Sequence, residues 1–354
     1  MGQLFKGRGA LSNPPARFIG RAKLAEDDGW YQQEVPDSIA TEIRPEAARS
    51  IISHNDSPDI PFEQSINPYR GCEHGCVYCY ARPSHAYVDL SPGLDFETRL
   101  FYKADAARLL RAELERPAYR CSPIMLGANT DPYQPVEQRL RVTRSILEVL
   151  LAARHPVNVI TKGTLILRDL DLLTELARLN LTHVYVSFTT LDAELKRKLE
   201  PRAASPAARL RVISALAAAG VQVGVMTAPM IPAINDAELE SLLEAAAGAG
   251  ATRAGYVLLR LPHEIKDLFR DWLAEHYPQR AAHVMSLVQQ SRGGKDNDPR
   301  FGKRMRGTGP WAALLRSRFE LACRRLNLNT ERSRSLTTEL FRVSGSGGQM
   351  EFAL

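Results

Sequence analysis

Three of the chain's five cysteines, Cys72, Cys76 and Cys79, lie within eight consecutive residues. Their spacing is C-x3-C-x2-C, and binding of one shared object is the usual reason for placing three thiols so close together. Thiolates are soft ligands that suit zinc and iron–sulfur clusters. Three ligands leave one position of a metal centre open, and an open position indicates chemistry more than a structural role.

Two other interpretations of the cysteines fit less well. A disulfide framework is disfavoured because three clustered cysteines cannot all pair, and we expect no secretory signal peptide. A structural zinc site is the second alternative, with His74 or His85 as the fourth ligand. Zinc sites usually combine two separated ligand pairs, however, and no second pair follows in this sequence. The spacing therefore favours a four-iron four-sulfur cluster.

The segment resembles the signature of the radical SAM superfamily, C-x3-C-x-aromatic-C, which Cys72, Cys76, Tyr78 and Cys79 match at every position. The resemblance implies a 4Fe-4S cluster on the three cysteines, whose fourth iron binds S-adenosyl-L-methionine. It also implies cleavage of that cofactor to a 5′-deoxyadenosyl radical, which abstracts hydrogen from a substrate. An electron donor such as flavodoxin or ferredoxin is implied as a partner.

The elements that position this loop are alternating strands and helices. Six apolar or β-branched runs between Ile66 and Leu261 are separated by stretches with helical spacing. Such alternation predicts βαβ units and a parallel sheet. The cysteine loop directly follows the first strand, so we expect it at the carboxyl ends of the strands. Periodicity predicts the parallel α/β class, and the resemblance makes it an open (β/α)6 partial TIM barrel.

Polar residues stand at the carboxyl ends of three further predicted strands. Thr130 and Asp131 follow the second strand, Lys162 ends the third, and Ser187 ends the fourth. Such residues are also common loop formers, but their convergence on one mouth predicts a ligand site. Their order resembles the spore photoproduct lyase branch of the superfamily. That likeness implies that Thr130, Lys162 and Ser187 contact S-adenosylmethionine, and we place Asp131 in the same site.

Four more residues are candidates for this region. Tyr78 suits a position beside the adenine of the cofactor. Arg202 is predicted to reach the cofactor carboxylate, with a salt bridge in the barrel rim as the alternative. Arg82 and His85 follow the cysteine loop and are expected either to line a substrate cavity or to brace the loop.

One position departs from the lyase branch. The resemblance implies a hydrogen-donating cysteine three residues before Asp131, and this chain has Ala128 there. Cys121 precedes the second strand and should lie toward the opposite barrel end, so we interpret Cys121 and Cys323 as small apolar residues. The chain looks closer to uncharacterised bacterial relatives of the lyase, and the radical generator is predicted more clearly than its target.

The chain has 354 residues and a formal net charge of +6, concentrated near its C-terminal end. Residues 292–342 carry 13 Lys or Arg and 5 Asp or Glu, a net charge of +8. We divide the chain into an N-terminal extension (1–62), a radical SAM core (63–262) and a mostly helical, basic accessory region (263–354). The start of the extension is rich in Gly and Pro, and we expect it to be a solvated tail.

The accessory region indicates a nucleic acid partner, because Phe301, Trp311 and Phe319 lie among its arginines. A solvated basic face is the simpler alternative. Two rival functions are a nucleic-acid-binding protein with a structural zinc or iron–sulfur site, and a radical enzyme acting on a peptide or small metabolite. We expect no membrane span, since no run of 18 apolar residues occurs, and a reducing, cytoplasmic location.

Overall fold

The computed structural model describes residues 5–18, 38–330 and 335–343. Within these residues the strands are β1 (Glu42–Pro45), β2 (Ile52–His54), β3 (Gln64–Ile66), β4 (Tyr69–Arg70), β5 (Arg99–Tyr102), β6 (Ile124–Leu126), β7 (Val157–Thr161), β8 (Thr182–Ser187), β9 (Gln222–Met230) and β10 (Arg253–Leu258). The helices are α1 (Asp95–Thr98), α2 (Ala106–Leu114), α3 (Glu137–Leu140), α4 (Val142–Ala152), α5 (Leu170–Arg178), α6 (Ala193–Leu199), α7 (Pro206–Ala218), α8 (Leu239–Gly248), α9 (Ile265–His276), α10 (Ala281–Gln290) and α11 (Gly309–Arg325). Short 3-10 helices cover Arg82–Val88, Leu165–Asp169 and Asp236–Glu238.

A seven-stranded sheet in the order β10-β9-β8-β7-β6-β3-β2 forms the centre of the molecule. Its strands from β3 to β10 pair in parallel, and the edge strand β2 runs antiparallel against β3. In the described part of the chain β3 and β10 do not pair with each other, so the sheet stays open. The predicted open, parallel α/β architecture is confirmed.

The β-branched strands are buried because helices cover the outside of the sheet. In β7, Val157 and Val159 are inaccessible to solvent, as is Val184 on the neighbouring strand β8. The same apolar core continues into α11, where Phe319 packs on Tyr256 with ring centroids 4.7 Å apart. The basic accessory region is therefore packed on the barrel and completes its core.

A second apolar core joins the accessory region to the cysteine loop. Phe269 and Trp272 of α9 stack with centroids 5.5 Å apart and pack in one cluster with Val77 and Tyr78. Helices α9 and α10 therefore pack in the same cluster as the cysteine loop. Among the described helices, none combines the length and apolar character that crossing a bilayer requires.

The N-terminal extension contributes to both sheets. Strand β1 pairs in parallel with β5 in a small sheet with β4, and β2 extends the central sheet. Residues 8–11, at the start of the extension, are buried. The expectation of a solvated tail is therefore wrong for this segment, and its contacts with the cysteine loop explain why.

Candidate cofactor site at the cysteine loop

The cysteine loop leaves the carboxyl end of β3 and turns back at two glycines. Gly71 and Gly75 have φ values of 79° and 67°, which lie in the left-handed region that favours glycine. A Cβ atom on Gly71 would lie 2.6 Å from the Leu100 side chain, so the turn also needs the missing side chain. Between and after these turns the loop presents Cys72, Cys76 and Cys79 as free thiols. All three thiols therefore lie in one loop, where Cys72 and Cys76 are buried and Cys79 is half-buried.

The three thiols lie close enough to influence one another's ionisation. Burial raises the pKa of Cys72 well above its usual range, and negative charge on Cys76 or Cys79 raises it further. Burial raises the pKa of Cys76 to about 12. A cationic metal centre that replaced the three protons would remove this mutual penalty. A set of three neighbouring sulfur donors fits an iron–sulfur cluster.

Backbone N–H groups near two of the thiols favour the charged thiolate form. The N–H groups of Ala81 and Arg82 counter the burial that raises the pKa of Cys79, and that of Asp131 acts on Cys72. Hydrogen bonds to the sulfurs are one way in which proteins tune cluster potentials. In the described residues, no group of three or more His, Cys, Asp or Glu can hold a single metal ion. Each cysteine of a four-iron cluster ligates its own iron.

The back of the loop is covered by the N-terminal segment 5–18 through the wholly buried carboxylate of Glu97. Glu97 accepts hydrogen bonds from the backbone N–H groups of Gly9 and Ala10, each at 2.9 Å. It also pairs with Arg82 at 2.5 Å, and neither side chain reaches solvent. Arg82 donates in addition to the Cys76 carbonyl oxygen at 2.9 Å. One buried ion pair therefore ties the N-terminal segment to the cysteine loop.

Two more contacts hold the loop in place. A Cβ atom on Gly9 would lie only 1.8 Å from the Gly75 carbonyl oxygen, so the two backbones are in direct contact. From the sheet side, the buried Gln134 donates to the Gly71 carbonyl oxygen at 3.1 Å and accepts from Glu73 N at 2.9 Å. The loop is clamped between these two layers.

Arg82 and His85 brace the loop, and neither lines a cavity. Both are wholly buried. The imidazole of His85 lies between Phe96 and Phe101, and its Nε2 is 2.9 Å from the Arg99 carbonyl oxygen. Burial lowers the pKa of His85 to about 4, so the ring is neutral. The expectation of a substrate-facing role is corrected by this burial, and the bracing alternative describes what is seen.

Lys162 lies on the strand-end side of the loop and carries a cation without a protein acceptor. Its Nζ is 6.0 Å from the centroid of the Tyr78 ring. Although burial opposes its charge, the neighbouring Cys76 and Glu200 raise the pKa of Lys162. Throughout the described ranges, Nζ donates no hydrogen bond and forms no ion pair. An ammonium group with three unused donors is a natural partner for a carboxylate.

A buried carboxylate, Glu200, fixes the orientation of Tyr78. Glu200 accepts hydrogen bonds from the Tyr78 hydroxyl and from Thr189 Oγ1, and it pairs with Arg209. Arg209 also donates to the Ser187 carbonyl oxygen at 2.9 Å. Although burial opposes ionisation, Arg209 holds the pKa of Glu200 at about 2. The sequence reading missed Glu200, Thr189 and Arg209, because no spacing pattern marks a carboxylate at the end of a short helix.

The polar side-chain atoms of Thr130 and Asp131 are hydrogen-bonded to other groups of the protein. The Thr130 hydroxyl donates to the Tyr69 carbonyl oxygen at 2.7 Å. Asp131 accepts from the backbone N–H of Lys162 at 2.6 Å and lies 3.3 Å from His74 Nδ1. Burial opposes its charge, but His74 and the hydrogen bonds hold the pKa of Asp131 at about 2. Asp131 therefore positions the strand end that carries Lys162.

The remaining two candidates differ in exposure. Ser187 is buried, and its hydroxyl makes no hydrogen bond within the residues that the structure describes. Arg202 is 35% exposed and pairs with Glu73 at 3.1 Å, as the rim alternative predicted. Cys121 precedes β6 at its amino end, and Cys323 is buried in the core.

The carboxyl ends of the strands also form a mouth that is basic and aromatic. Tyr80 donates to the Ala128 carbonyl oxygen, and its ring is 46% exposed beneath the Arg260 guanidinium, 5.7 Å away. Arg260 Nε is buried without a hydrogen-bond partner, and no described carboxylate pairs with this side chain. Next to it, Phe301 is 57% exposed and lies 4.6 Å from the Arg304 guanidinium.

Only one of the three aromatic residues predicted to meet nucleic acid is exposed. Phe319 is buried against Tyr256, and Trp311 donates its indole N–H to Asp236 at 3.0 Å. Both residues hold α11 on the barrel. The exposed aromatic surface at the mouth consists of Phe301 and of Tyr80, which the sequence reading did not assign to this surface.

Comparison with known proteins gives the family to which the chain belongs. Residues 66–246 match the radical SAM superfamily. An uncharacterised protein of Mycobacterium tuberculosis is 41% identical over 233 residues, covering 65% of this chain and 68% of the relative. An uncharacterised protein of Methanocaldococcus jannaschii is 26% identical over 173 residues, covering 49% and 62%. The chain belongs to the radical SAM superfamily and is an enzyme, as predicted.

Solved structures agree on the fold. Spore photoproduct lyase complexed with dinucleoside spore photoproduct matches with a TM-score of 0.59 and 16% identity, covering 80% of this chain and 79% of that one. A mutant of the same lyase matches with a TM-score of 0.58 and 18% identity over the same shares. The predicted likeness to this lyase is confirmed for the fold. The superfamily's cofactors are S-adenosylmethionine and a 4Fe-4S cluster.

Proposed function

We propose that this enzyme holds a 4Fe-4S cluster on Cys72, Cys76 and Cys79 and binds S-adenosylmethionine beside it. When bound, these groups supply one-electron cleavage of the cofactor and a 5′-deoxyadenosyl radical that abstracts hydrogen from the substrate. The observation that carries the proposal is that three neighbouring thiols lie beside Lys162, a half-buried cation that has no protein acceptor among the described residues.

The protein's own residues bind and orient the cofactor. Lys162 donates to its carboxylate, because a charge-assisted hydrogen bond is the strongest contact an ammonium can make. The Ser187 hydroxyl serves a ribose hydroxyl or the methionine group, and the Tyr78 ring lies beside the adenine. Asp131 fixes the strand end that carries Lys162. Arg202 is a second candidate for the carboxylate at the rim.

The first experiment is anaerobic reconstitution with iron and sulfide, followed by reduction with dithionite in the presence of S-adenosylmethionine. We expect formation of 5′-deoxyadenosine, loss of product in Cys76→Ala, and retention in Cys121→Ala, whose thiol lies at the other end of the strand. A zinc-loaded protein that takes up no cluster would contradict the proposal. A cluster that binds without product would favour a structural role.

For the substrate we propose a single nucleic acid strand at the mouth. Cationic grooves bind phosphates, and exposed aromatic rings stack on bases. Arg260, which has no carboxylate partner among the described residues, supplies the cation, and Tyr80 and Phe301 supply the exposed rings; the neighbouring Arg304 is paired with Asp59. The dinucleoside named in the complex of the structurally similar lyase supports the same class. Because Ala128 has no thiol, a different hydrogen donor from the lyase's cysteine must complete any such reaction.

This substrate class is tested by binding of a fluorescently labelled single-stranded oligonucleotide. We expect Arg260→Gln to weaken binding about five- to tenfold and to reduce the salt slope by about one. The matched control is Arg270→Gln, because Arg270 pairs with Asp296 away from the mouth. Equal affinity of wild type and Arg260→Gln would point instead to a peptide or a small metabolite as the substrate.

For the location of the enzyme we propose a reducing compartment such as the cytoplasm, because such a compartment suits an iron–sulfur cluster.

A further inference from the structure

We propose that the inner face of the central sheet, next to the cofactor residues, holds one base of the nucleic acid strand. We call this place the lumen pocket and define it by Met125, Asn158, His183, Tyr185 and Met226. The inference rests on the proposed function, since the nucleic acid strand is the substrate class proposed for the mouth. It goes further by assigning the side chains that recognise the base.

The inner face of the sheet is open, whereas its outer face is packed. Side chains alternate between the two faces along each strand. In β7, Val157 and Val159 belong to the main apolar core and are inaccessible to solvent, but Asn158 between them is half-buried. Met125 in β6 and Met226 in β9 are also half-buried, and among the described residues neither belongs to an apolar core cluster. The inner face therefore lines a space that solvent reaches.

The lumen pocket lies directly beside the cofactor residues. His183, Tyr185 and Ser187 alternate along β8 and therefore share its inner face. Tyr185 lies two residues before Ser187, which is ~7 Å along the strand. The neighbouring strand leaves room for its ring, because a Cβ atom on Gly224 would lie 2.6 Å from the Tyr185 ring. A group bound against Tyr185 is therefore next to the proposed site of the cofactor.

The pocket contains one unused donor and one unused acceptor on adjoining strands. Arg253 donates to His183 Nδ1 at 3.3 Å, and burial lowers the pKa of His183 to about 4, so the ring is neutral with its hydrogen on Nε2. This Nε2–H group is buried and has no hydrogen-bond partner among the described residues. Asn158, its register partner on β7, has a buried Oδ1 that lacks a partner as well. Such atoms are rare in folded proteins, and a bound group that supplies both partners explains them.

A nucleobase matches this set of groups. Its planar edge presents donors next to acceptors, which His183 Nε2–H and Asn158 Oδ1 complement. The Tyr185 ring is half-buried, and its hydroxyl has no partner within the described ranges, so the ring is available for stacking. Arg253 uses its guanidinium on Gln222 and His183, and the five residues that define the pocket are uncharged. The pocket therefore suits a neutral ring and leaves the phosphates to the mouth.

The first test measures binding of the four free deoxynucleosides to the anaerobically reconstituted enzyme without a reductant. Saturating S-adenosylmethionine is present, so that its own adenine site is filled. We expect at least one deoxynucleoside to bind in equilibrium dialysis, and Asn158→Leu or His183→Phe to weaken that binding about tenfold. The matched control is Thr182→Val. Thr182 also has a buried hydroxyl without a described partner, but it lies on the outer face of β8, so its loss should change the affinity less than about twofold.

Thermal unfolding shows whether the variants remain folded. Asn158→Leu and Thr182→Val each replace an unpaired buried oxygen by an apolar group, so neither should lower the Tm by more than about 2 °C. His183→Phe removes an acceptor of Arg253 and is expected to lower the Tm further. Asn158→Leu is therefore the decisive variant, and loss of nucleoside binding at an unchanged Tm supports the lumen pocket.

Two results would overturn the lumen pocket as a base site. One is a wild-type enzyme that binds no deoxynucleoside, and the other is Asn158→Leu with wild-type affinity, which would leave only water at Asn158 and His183. Tighter binding of N-acetylglutamine amide than of any nucleoside would also overturn it, and would assign the pocket to a peptide side chain.

Binding of the labelled oligonucleotide separates this inference from the proposed function. The salt slope of that binding depends on Arg260 at the mouth and should be the same in Asn158→Leu as in wild type. If wild type binds nucleosides at Asn158 but no oligonucleotide, the proposed strand is wrong and the pocket stands. If the oligonucleotide binds and Asn158→Leu changes the affinity for neither ligand, the pocket is wrong and the mouth stands.

Discussion

The two sides of the cysteine loop differ in whether their charged and polar side chains have partners within the protein. On the back, Glu97 has three protein donors and Arg82 bonds to the Cys76 carbonyl oxygen as well as to that carboxylate. On the strand-end side, Lys162 and the Ser187 hydroxyl have no hydrogen-bonding partner within the described residues. Lys162 is half-buried, and polar groups that have no partner within the protein are available to a ligand.

The paired residues on the back therefore hold the cysteine loop in place, whereas the unpaired groups of Lys162 and Ser187 are available to bind a ligand. Substitutions on the back should cost stability of the metal-free protein, because they leave buried partners unpaired. Substitutions of Lys162 or Ser187 on the strand-end side should cost ligand affinity and leave stability almost unchanged. The predictions below compare these two outcomes, beginning with the largest.

Glu97→Ala should lower the free energy of unfolding by ~3–5 kcal/mol, since it leaves Arg82 buried without its carboxylate. Urea denaturation of the metal-free protein measures this change. The matched control is Glu244→Ala, whose partner Arg325 is 58% exposed and whose loss should cost below ~1 kcal/mol. Equal losses in the two variants would show that the buried pair does not hold the loop.

His85 should make the back of the loop sensitive to acid. Because burial lowers the pKa of His85 to about 4 from 6.5, the unfolded chain takes up its proton first as the pH falls. The stability that depends on the neutral ring is present above pH 6.5 and is lost toward pH 4, by ~3 kcal/mol. His85→Gln should flatten this part of the profile of unfolding free energy against pH. If the unfolding free energy of the variant fell with pH as steeply as that of wild type, His85 would not be the group responsible for the acid sensitivity.

Gly9→Ala should cost ~1–3 kcal/mol, because its methyl group would collide with the Gly75 carbonyl oxygen. Gly248→Ala is the control: no atom lies within 4 Å of its added Cβ, and it should stabilise the protein by ~0.4–1 kcal/mol. Thermal or urea unfolding of both variants gives the comparison. If both substitutions changed the unfolding free energy in the same direction, the N-terminal segment would not pack tightly on the loop.

Lys162→Met should weaken binding of S-adenosylmethionine ten- to hundredfold, or ~1.4–2.7 kcal/mol, while changing unfolding free energy by less than ~1 kcal/mol. Equilibrium dialysis of reconstituted protein with labelled cofactor measures the affinity. Lys198→Met serves as the control, since Lys198 pairs with Glu194 on the surface. A large loss of stability with unchanged cofactor affinity would show that Lys162 stabilises the fold and does not bind the cofactor.

The parts predictable from sequence were those with strong local signals. The spacing of Cys72, Cys76 and Cys79 indicated one shared site, and β-branched runs such as Val157–Thr161 marked the strands. The alternation of strands with helices predicted a parallel sheet. Each of these signals is contained in a short window, so no long-range contact is needed to interpret it.

The parts that were missed depend on contacts between distant residues. Glu97 and Gly9 meet across 88 positions, and Glu200 reaches Tyr78 across 122. The basic start of the chain was predicted to be a solvated tail, because no local pattern shows that the backbone N–H groups of Gly9 and Ala10 donate to Glu97. Likewise, Arg82 and His85 looked available to substrate until their burial was visible.

The most direct test of the central claim is Mössbauer spectroscopy of protein reconstituted with iron-57, before and after addition of S-adenosylmethionine. We predict a cluster in which one of the four irons differs from the others, and a cofactor-induced change confined to that iron. The same change should be much weaker in Lys162→Met at equal cofactor concentration. Four equivalent irons that do not respond to the cofactor, or zinc in place of iron, would contradict the account.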